Sequence, residues 1–250
     1  MNLTKTVRYT AAAVALGALG LGLVPTAQAV AMYRADALIQ VTLTRISSGT
    51  LGSNVFVTYE NQVTGQDTIS SGPTSFAIAD PYIFPDHSTQ NMRVFDTLEQ
   101  DHIALGEAGS PFGTAYSLLQ STGYIYLENH SGAPVDFEFE YSIVASVDTR
   151  VTGSPAFADA FAAAIVEIFD DTSTSVDIYE TLSANLATSV TGQELDLSGT
   201  FTITVEDGNF SNVSVFVDTY GNATYVPEPG SVWLIGSGLA LLAFRRRAAA

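Results

Sequence analysis

The acidic side chains are the residues whose type and spacing come closest to those of a catalytic site. Several occur as close pairs, and hydrolysis of a glycosidic bond needs two carboxylates that face each other across a cleft. The pairs are Glu99 with Asp101, Glu138 with Glu140, Asp170 with Asp171, and Glu206 with Asp207. Glu138 and Glu140 alternate with apolar residues, which predicts both on the solvent-facing side of one strand. The pattern therefore favours solvated carboxylates over a glycosidase.

Metal ligands and nucleophiles are equally sparse. The histidines His87, His102 and His130 have no spacing that would place two of them as zinc ligands on one helix or strand. Oxygen-rich stretches at 170–173 and 207–209 could bind Ca²⁺, but neither has the twelve-residue spacing of an EF-hand, and ordinary turns explain both. No serine lies in a Gly-x-Ser-x-Gly context. The sequence predicts no catalytic residues, no cofactor and no metal ligands, with a calcium-binding loop as the alternative.

Aromatic side chains offer a second kind of site, because sugars can stack on their faces. The only tryptophan, Trp233, lies near the C-terminus, so tyrosines would have to supply such a surface. Candidates are Tyr82, Tyr116, Tyr124 and Tyr126. Tyrosines in alternating strands are more often cross-strand pairs or core residues. Sugar binding is therefore an alternative to the leading interpretation.

Charge distinguishes the middle of the chain from its ends. Five of the nine basic residues lie near the termini, and four remain between them: Arg34, Arg45, Arg93 and Arg150. Residues 30–229 combine these four arginines with all 26 acidic residues, a net charge of −22, and contain no lysine. Such a domain repels phosphate backbones, so we expect no nucleic-acid partner. Cysteine is absent, which excludes disulfides and thiolate chemistry.

Apolar and polar residues alternate along most of the middle, which predicts β-strands. Clear examples are 38–46, 54–59, 123–128, 135–147, 200–205 and 212–219. Residues 206–209, Glu-Asp-Gly-Asn, predict a hairpin turn between the last two of these strands. Residues 80–90 contain two prolines and predict a long loop. Many short strands with such breaks indicate one all-β domain over 30–225, an antiparallel β-sandwich or a jelly roll.

The stretch from Phe157 to Phe169 fits two patterns. Its apolar residues match one stripe of a helix, and its alanine content favours that interpretation. A partly different set also matches one face of a strand, which Asp159 and Glu167 interrupt, and the surrounding pattern is β; this set is Phe157, Phe161, Ala163, Ile165 and Phe169. We favour a strand.

The N-terminus has the three zones of a secretory signal peptide. Lys5 and Arg8 precede an apolar stretch at 11–24, and Ala27-Gln28-Ala29 is the small-x-small pattern that signal peptidase accepts. We expect cleavage after Ala29, which makes 1–29 a removable signal and signal peptidase a partner.

The C-terminus has a different three-part order. Val226, Pro227, Glu228 and Pro229 form a proline-rich segment that cannot continue a strand. An apolar run follows at 230–244, about 22 Å long as a helix and short for a hydrocarbon core of about 30 Å. Arg245, Arg246 and Arg247 then mark the cytoplasmic side. We therefore expect 226–250 to anchor the protein transiently in a membrane.

This order of Pro-Glu-Pro, short apolar helix and arginine cluster resembles the PEP-CTERM sorting signal of Gram-negative bacteria. The resemblance covers residues 226–247. It implies recognition by an exosortase, a membrane enzyme that cuts at the motif, so that Pro227, Glu228 and Pro229 are acted upon and are not catalytic. It also implies a host that makes extracellular polysaccharide. The expected product is an exported structural or interaction protein of the cell surface or biofilm matrix.

Overall fold

A computed structural model describes residues 30–72, 74–109, 112–152, 158–171, 176–186 and 191–225. The predicted signal at 1–29 and the predicted sorting tail at 226–250 lie outside these residues. The described chain forms eleven strands: β1 Val30–Ile46, β2 Val55–Ser71, β3 Phe76–Phe84, β4 Gln90–Asn91, β5 Thr97–Ala108, β6 Thr114–Asn129, β7 Val135–Thr152, β8 Ala158–Asp170, β9 Asp177–Asn185, β10 Gly192–Val205 and β11 Phe210–Tyr225.

The strands form two antiparallel sheets. Sheet A has five strands in the order β10-β7-β1-β5-β3, and sheet B has six in the order β4-β2-β6-β11-β8-β9. Of the connections between successive described strands, only β8 to β9 joins neighbours within one sheet. The prediction of an all-β, antiparallel fold is confirmed. The finer choice between a sandwich and a jelly roll stays a prediction.

The inner faces of both sheets share one apolar core. Every second residue of β1 from Ala31 to Leu43 is buried, and the same period runs through β7, β8 and β11. Phe137, Phe139 and Ile143 are buried on one side of β7, while Glu138 and Glu140 lie on the other. The alternation predicted for this strand is confirmed. Without a disulfide, burial of these side chains is the main source of stability.

The ambiguous stretch before residue 170 is a strand, β8, as favoured from the sequence; Phe157 itself lies outside the described residues. Its alanines Ala160, Ala162 and Ala164 are buried, and β8 packs across the core against β1, which also presents buried alanines. Pairing with β9 and β11 satisfies its backbone. Tertiary packing therefore overrides the helix preference of alanine.

Two local predictions are wrong. The expected loop at 80–90 is a strand as far as Phe84, because Pro81 lies in the edge strand β3, where a missing N–H is tolerated. The turn at 206–209 forms, with the Asn209 N–H donating to the Glu206 carbonyl at 3.1 Å, but it does not close a hairpin. It carries the chain from sheet A to sheet B, since β10 pairs with β7 and β11 pairs with β6 and β8.

Tyr33 connects the two sheets through the core. Its hydroxyl lies 2.8 Å from the Ser117 hydroxyl on β6, and burial raises its pKa to about 12. The ring packs where Gly106 on β5 and Gly221 on β11 have no side chain, and a Cβ at either position would overlap it. Both glycines are thus needed for the close approach of backbone and ring.

Gly221→Ala should therefore lower the free energy of unfolding by about 2–3 kcal/mol, because the added methyl group overpacks the core. It would meet the Tyr33 ring and lie 2.8 Å from the Phe161 carbonyl oxygen. Gly192→Ala is the matched control, since its Cβ would meet nothing closer than 3.5 Å. Urea unfolding measures both, and equal stability of the two variants would contradict this account of Tyr33.

Candidate functional site

The predicted processing sites adjoin the first and last strands directly. β1 begins at Val30, the residue after Ala29, and β11 ends at Tyr225, the residue before Val226. Each is an inner strand of its sheet: β1 lies between β7 and β5, and β11 lies between β6 and β8. The predicted site residues themselves lie outside the described part of the chain: Ala27, Ala29, Val226, Pro227, Glu228, Pro229, Arg245, Arg246 and Arg247.

Both chain ends leave the domain at the same end of the two sheets. Val30 pairs with Thr152, where β7 ends, and Tyr225 pairs with Ala158, where β8 begins. The Tyr225 N–H donates to the Gly113 carbonyl at 2.9 Å. We call this end of the sheets, where β1 begins and β11 ends, the proximal pole, and the opposite end the distal pole. The sorting segment therefore starts within one residue of the folded proximal pole.

A second surface lies on the outer face of β3. Four large side chains point outward along this edge strand: Phe76, Ile78, Tyr82 and Phe84 are 42%, 45%, 56% and 44% exposed. Their two-residue period places them in one row, about 27 Å long at roughly 3.4 Å per residue. We call these four residues the β3 row. Of the four tyrosines predicted for sugar contact, only Tyr82 belongs to it.

Carboxylates border the β3 row. Asp80 lies within β3, and Asp101 and Glu99 of β5 lie opposite Tyr82 and Phe84. Burial, together with the charges of Glu99, Asp36 and Asp80, raises the pKa of Asp101. Glu99 accepts a hydrogen bond from the Gln40 side-chain amide at 2.9 Å. The surface therefore combines apolar area with hydrogen-bond acceptors.

The other three candidate tyrosines lie on the opposite side of the molecule, on the outer face of sheet B. The rings of Tyr124 and Tyr126 are stacked with centroids 5.9 Å apart. The Tyr126 hydroxyl donates to Glu60 at 3.1 Å, and burial followed by this bond raises its pKa to about 12. These tyrosines form contacts within the sheet, as expected of neighbours on a strand face.

The remaining predicted carboxylate pairs contact their own chain. Glu138 pairs with Arg45 at 2.9 Å, and Asp207 accepts from the Gly132 N–H at 2.8 Å. Asp170 accepts from the Ser211 hydroxyl at 3.0 Å, while Asp171 accepts from Asn212 and Ser214. Among the described residues, no three His, Asp or Glu side chains are grouped to hold a metal ion. These contacts fit structural roles for the carboxylates.

The three histidines are separated in the fold. His87 and His130 are exposed beside Asp86 and Glu128, whereas His102 is fully buried on the inner face of β5. Burial lowers the pKa of His102 to about 4, an effect that the nearby Leu119 backbone opposes. Neither ring nitrogen has a hydrogen-bond partner among the described residues. This burial was missed because β5 itself was not predicted: its inner face carries Gln100 and His102, while Ile103 lies on the outer face.

Comparison with known proteins identifies the C-terminal segment. The family model of the PEP-CTERM protein-sorting motif matches residues 226–247. No curated protein and no solved structure matches the chain. The motif implies an exported protein with a C-terminal membrane-anchoring step and processing by an exosortase. Within the described residues, no helix has the length and apolar character to cross a membrane, and the predicted span at 230–244 lies beyond them.

His102 should make the domain sensitive to mild acid. Because its folded pKa is about 4 and its unfolded value about 6.5, the unfolded chain binds more protons between these values. The contribution of His102 to stability is therefore greatest above pH 6.5 and falls by about 3 kcal/mol as pH drops towards 4. His102→Leu should remove this contribution from urea unfolding curves across that range. His87→Gln, at an exposed site, is the control; an unchanged pH dependence in His102→Leu would refute the assignment.

Proposed function

We propose that this protein is a non-enzymatic structural or interaction protein of the cell surface or extracellular matrix. The observation that carries this proposal is the PEP-CTERM motif, which begins directly after the last strand of the domain. Signal peptidase removes 1–29, the segment at 230–244 holds the protein in the inner membrane, and Arg245, Arg246 and Arg247 stay on the cytoplasmic side. An exosortase then cuts at Val226–Pro229 and releases the domain, which we propose is a β-sandwich.

The absence of enzymatic activity is part of this proposal. It is supported by the contacts of Glu138, Asp170 and Asp207, each of which binds a side chain or a backbone N–H of the same chain. The net charge of −22 over 30–229 supports an extracellular role in another way. Strong negative charge keeps a released domain soluble and away from nucleic acids and anionic lipid.

Sorting predicts a defined product. Protein recovered from the host surface should have an intact mass lacking 1–29 and the arginine-bearing tail. Replacing Pro227, Glu228 and Pro229 by alanine should leave the tail attached and retain the protein in the membrane fraction, because the recognised segment is gone. Ala249→Ser, beyond the arginine cluster, is the control. A full-length C-terminus on wild-type surface protein would refute exosortase processing.

A second candidate function is binding of a neutral polysaccharide, and the β3 row favours it. Apolar faces of sugar rings can pack on Phe76, Tyr82 and Phe84, while sugar hydroxyls can donate to Asp80 and Asp101. The flat, linear shape of the row suits an extended chain more than a single sugar. Calcium is not needed for this proposal. Among the described residues, no three carboxylate or histidine side chains are grouped to bind an ion.

Binding to insoluble neutral glycans tests this second function. Tyr82→Ala and Phe84→Ala should each reduce retention about tenfold, corresponding to roughly 1.4 kcal/mol per lost contact. Tyr179→Ala removes a similarly exposed ring, 54% accessible, from sheet B and should have no effect. The measurement is made with and without Ca²⁺. Absence of retention on every glycan, or an equal loss in Tyr179→Ala, would exclude the β3 row as a glycan site.

A further inference from the structure

One long strand of sheet A has an open edge. β10 pairs with β7 along all 14 of its residues, from Gly192 to Val205, without a bulge. On its other side no strand pairs with it among the described residues. Proteins usually protect such an edge with proline, lysine or a bulge, because its free N–H and C=O groups can pair with another chain. β10 contains none of these, and residues 197–205 contain no charged side chain.

The other open edges of the two sheets carry such protection. β3 contains Pro81, and β2, which extends beyond the two-residue β4, has a bulge between Val63 and Gly65. On β9, the Ser183 N–H donates to the Gln193 side chain at 3.0 Å. Among the described strands, β10 is therefore the edge best suited to pairing with another chain.

Apolar side chains on the inner side of β10 are only half-buried. Leu197 and Phe201 are partly exposed, whereas Ile143 and Phe139, which lie opposite them on β7, are fully buried. The difference arises because sheet A ends at β10, so no further strand covers these side chains. A second strand beside β10 would bury this apolar area.

A glycine and an aromatic ring occupy the middle of this edge. A Cβ at Gly199 would lie 2.7 Å from the Tyr141 hydroxyl, because the Tyr141 ring covers this position. Tyr141 in turn packs against Phe201, with ring centroids 6.3 Å apart. A strand placed beside β10 would therefore need a small residue opposite Gly199 to leave room for the ring. Gly199 of a second copy meets this requirement.

We propose that β10 pairs antiparallel with β10 of a second copy, about a two-fold axis at Gly199, and so joins two five-stranded sheets into one. In this register Leu197 lies opposite Phe201 of the second copy, so the half-buried apolar side chains cover each other. Asp196 lies opposite Thr202, so these carboxylates do not face each other. The two copies of Asp196 are offset by six residues, about 20 Å at roughly 3.4 Å per residue.

Charge determines how tightly the two copies associate. Each has a net charge of −22 over residues 30–229, so the copies repel each other at a distance. Salt screens this repulsion, since the Debye length falls from about 10 Å at 0.1 M to about 3 Å at 1 M. We therefore expect a dimer that strengthens as the salt concentration rises, whereas an interface held by ion pairs would weaken.

Cysteine cross-linking tests the register, because the chain has no native cysteine. Asp196→Cys and Thr202→Cys are each made in the full chain, purified in excess neutral detergent, mixed and treated with a short bis-maleimide. The mixture should give a cross-linked dimer, since directly opposite side chains lie about 5 Å apart. Either variant alone should not, because its two cysteines would be about 20 Å apart. Asp196→Cys mixed with Thr181→Cys, exposed on β9, is the control. Equal product in the control or in a single variant, or no product in the mixture, would overturn the proposal.

Charge substitutions at Thr202 test the same contact in both directions. Thr202→Asp places a carboxylate opposite Asp196 twice in each dimer and should raise the dissociation constant about tenfold, whereas Thr202→Lys should lower it. Thr181→Asp and Thr181→Lys make the same charge changes on β9 and should have little effect.

Sedimentation equilibrium of the full chain in detergent measures these dissociation constants. The variants are compared at about 0.1 M salt, and the unsubstituted chain should associate more tightly at about 1 M. Equal constants for Thr202→Asp and Thr181→Asp would contradict pairing through β10. Neither assay contains an exosortase, so a failure of sorting in the host would leave this result intact.

Discussion

The fold depends on the backbone pairing of its first and last strands. β1 lies between β7 and β5, and β11 lies between β6 and β8, so each sheet is assembled around the first or the last described strand. The inner ladder of sheet B is incomplete until residues 210–225 are available, because β6 and β8 both pair with β11. The β6–β11 pairs, from Phe210↔Glu128 to Thr224↔Thr114, join residues about 100 positions apart, which is a costly closure that burial must offset. The sorting segment is therefore covalently continuous with the strand that completes the fold.

Close packing between the sheets is achieved with small and polar residues as well as large apolar ones. Tyr33 reaches across to Ser117, and the Gln100 side-chain amide donates to Asn61 at 2.6 Å within the same interior. Burial there favours the neutral imidazole of His102. Neither disulfides nor lysine-containing ion pairs contribute, since the chain has no cysteine and residues 30–229 have no lysine. The stability of the domain is thus concentrated in its interior, while its surface remains strongly acidic.

Much of the architecture could be predicted from the sequence because alternation reports directly on which face is buried. The strands around Phe137 and Val213 were predicted this way. The strand after Phe157 was also predicted, but its buried residues Ala160, Ala162 and Ala164 lie on the face opposite to the one that its aromatic residues indicated. Pairing partners could not be predicted in the same way: Glu206–Asn209 has the composition of a hairpin turn, yet the strands on either side belong to different sheets. Because Pro81 argues against a strand, β3 was not predicted. Phe76, Tyr82 and Phe84 were therefore not recognised as side chains on one face of a strand. The start of β1 and the end of β11 lie at the same pole because of the strand topology. No local sequence pattern predicts this.

The β3 edge of sheet A bears on how the domain pairs with other copies of itself. The unpaired edge of a strand is a template for pairing with another chain. Pro81 removes one donor from β3, and the Ala79 carbonyl already accepts the Gln66 amide at 2.7 Å. Asp80 adds a negative charge to β3, and the Asp80 carboxylates of two paired copies would repel each other. These features make β3 a poor template for pairing with a second copy of the chain.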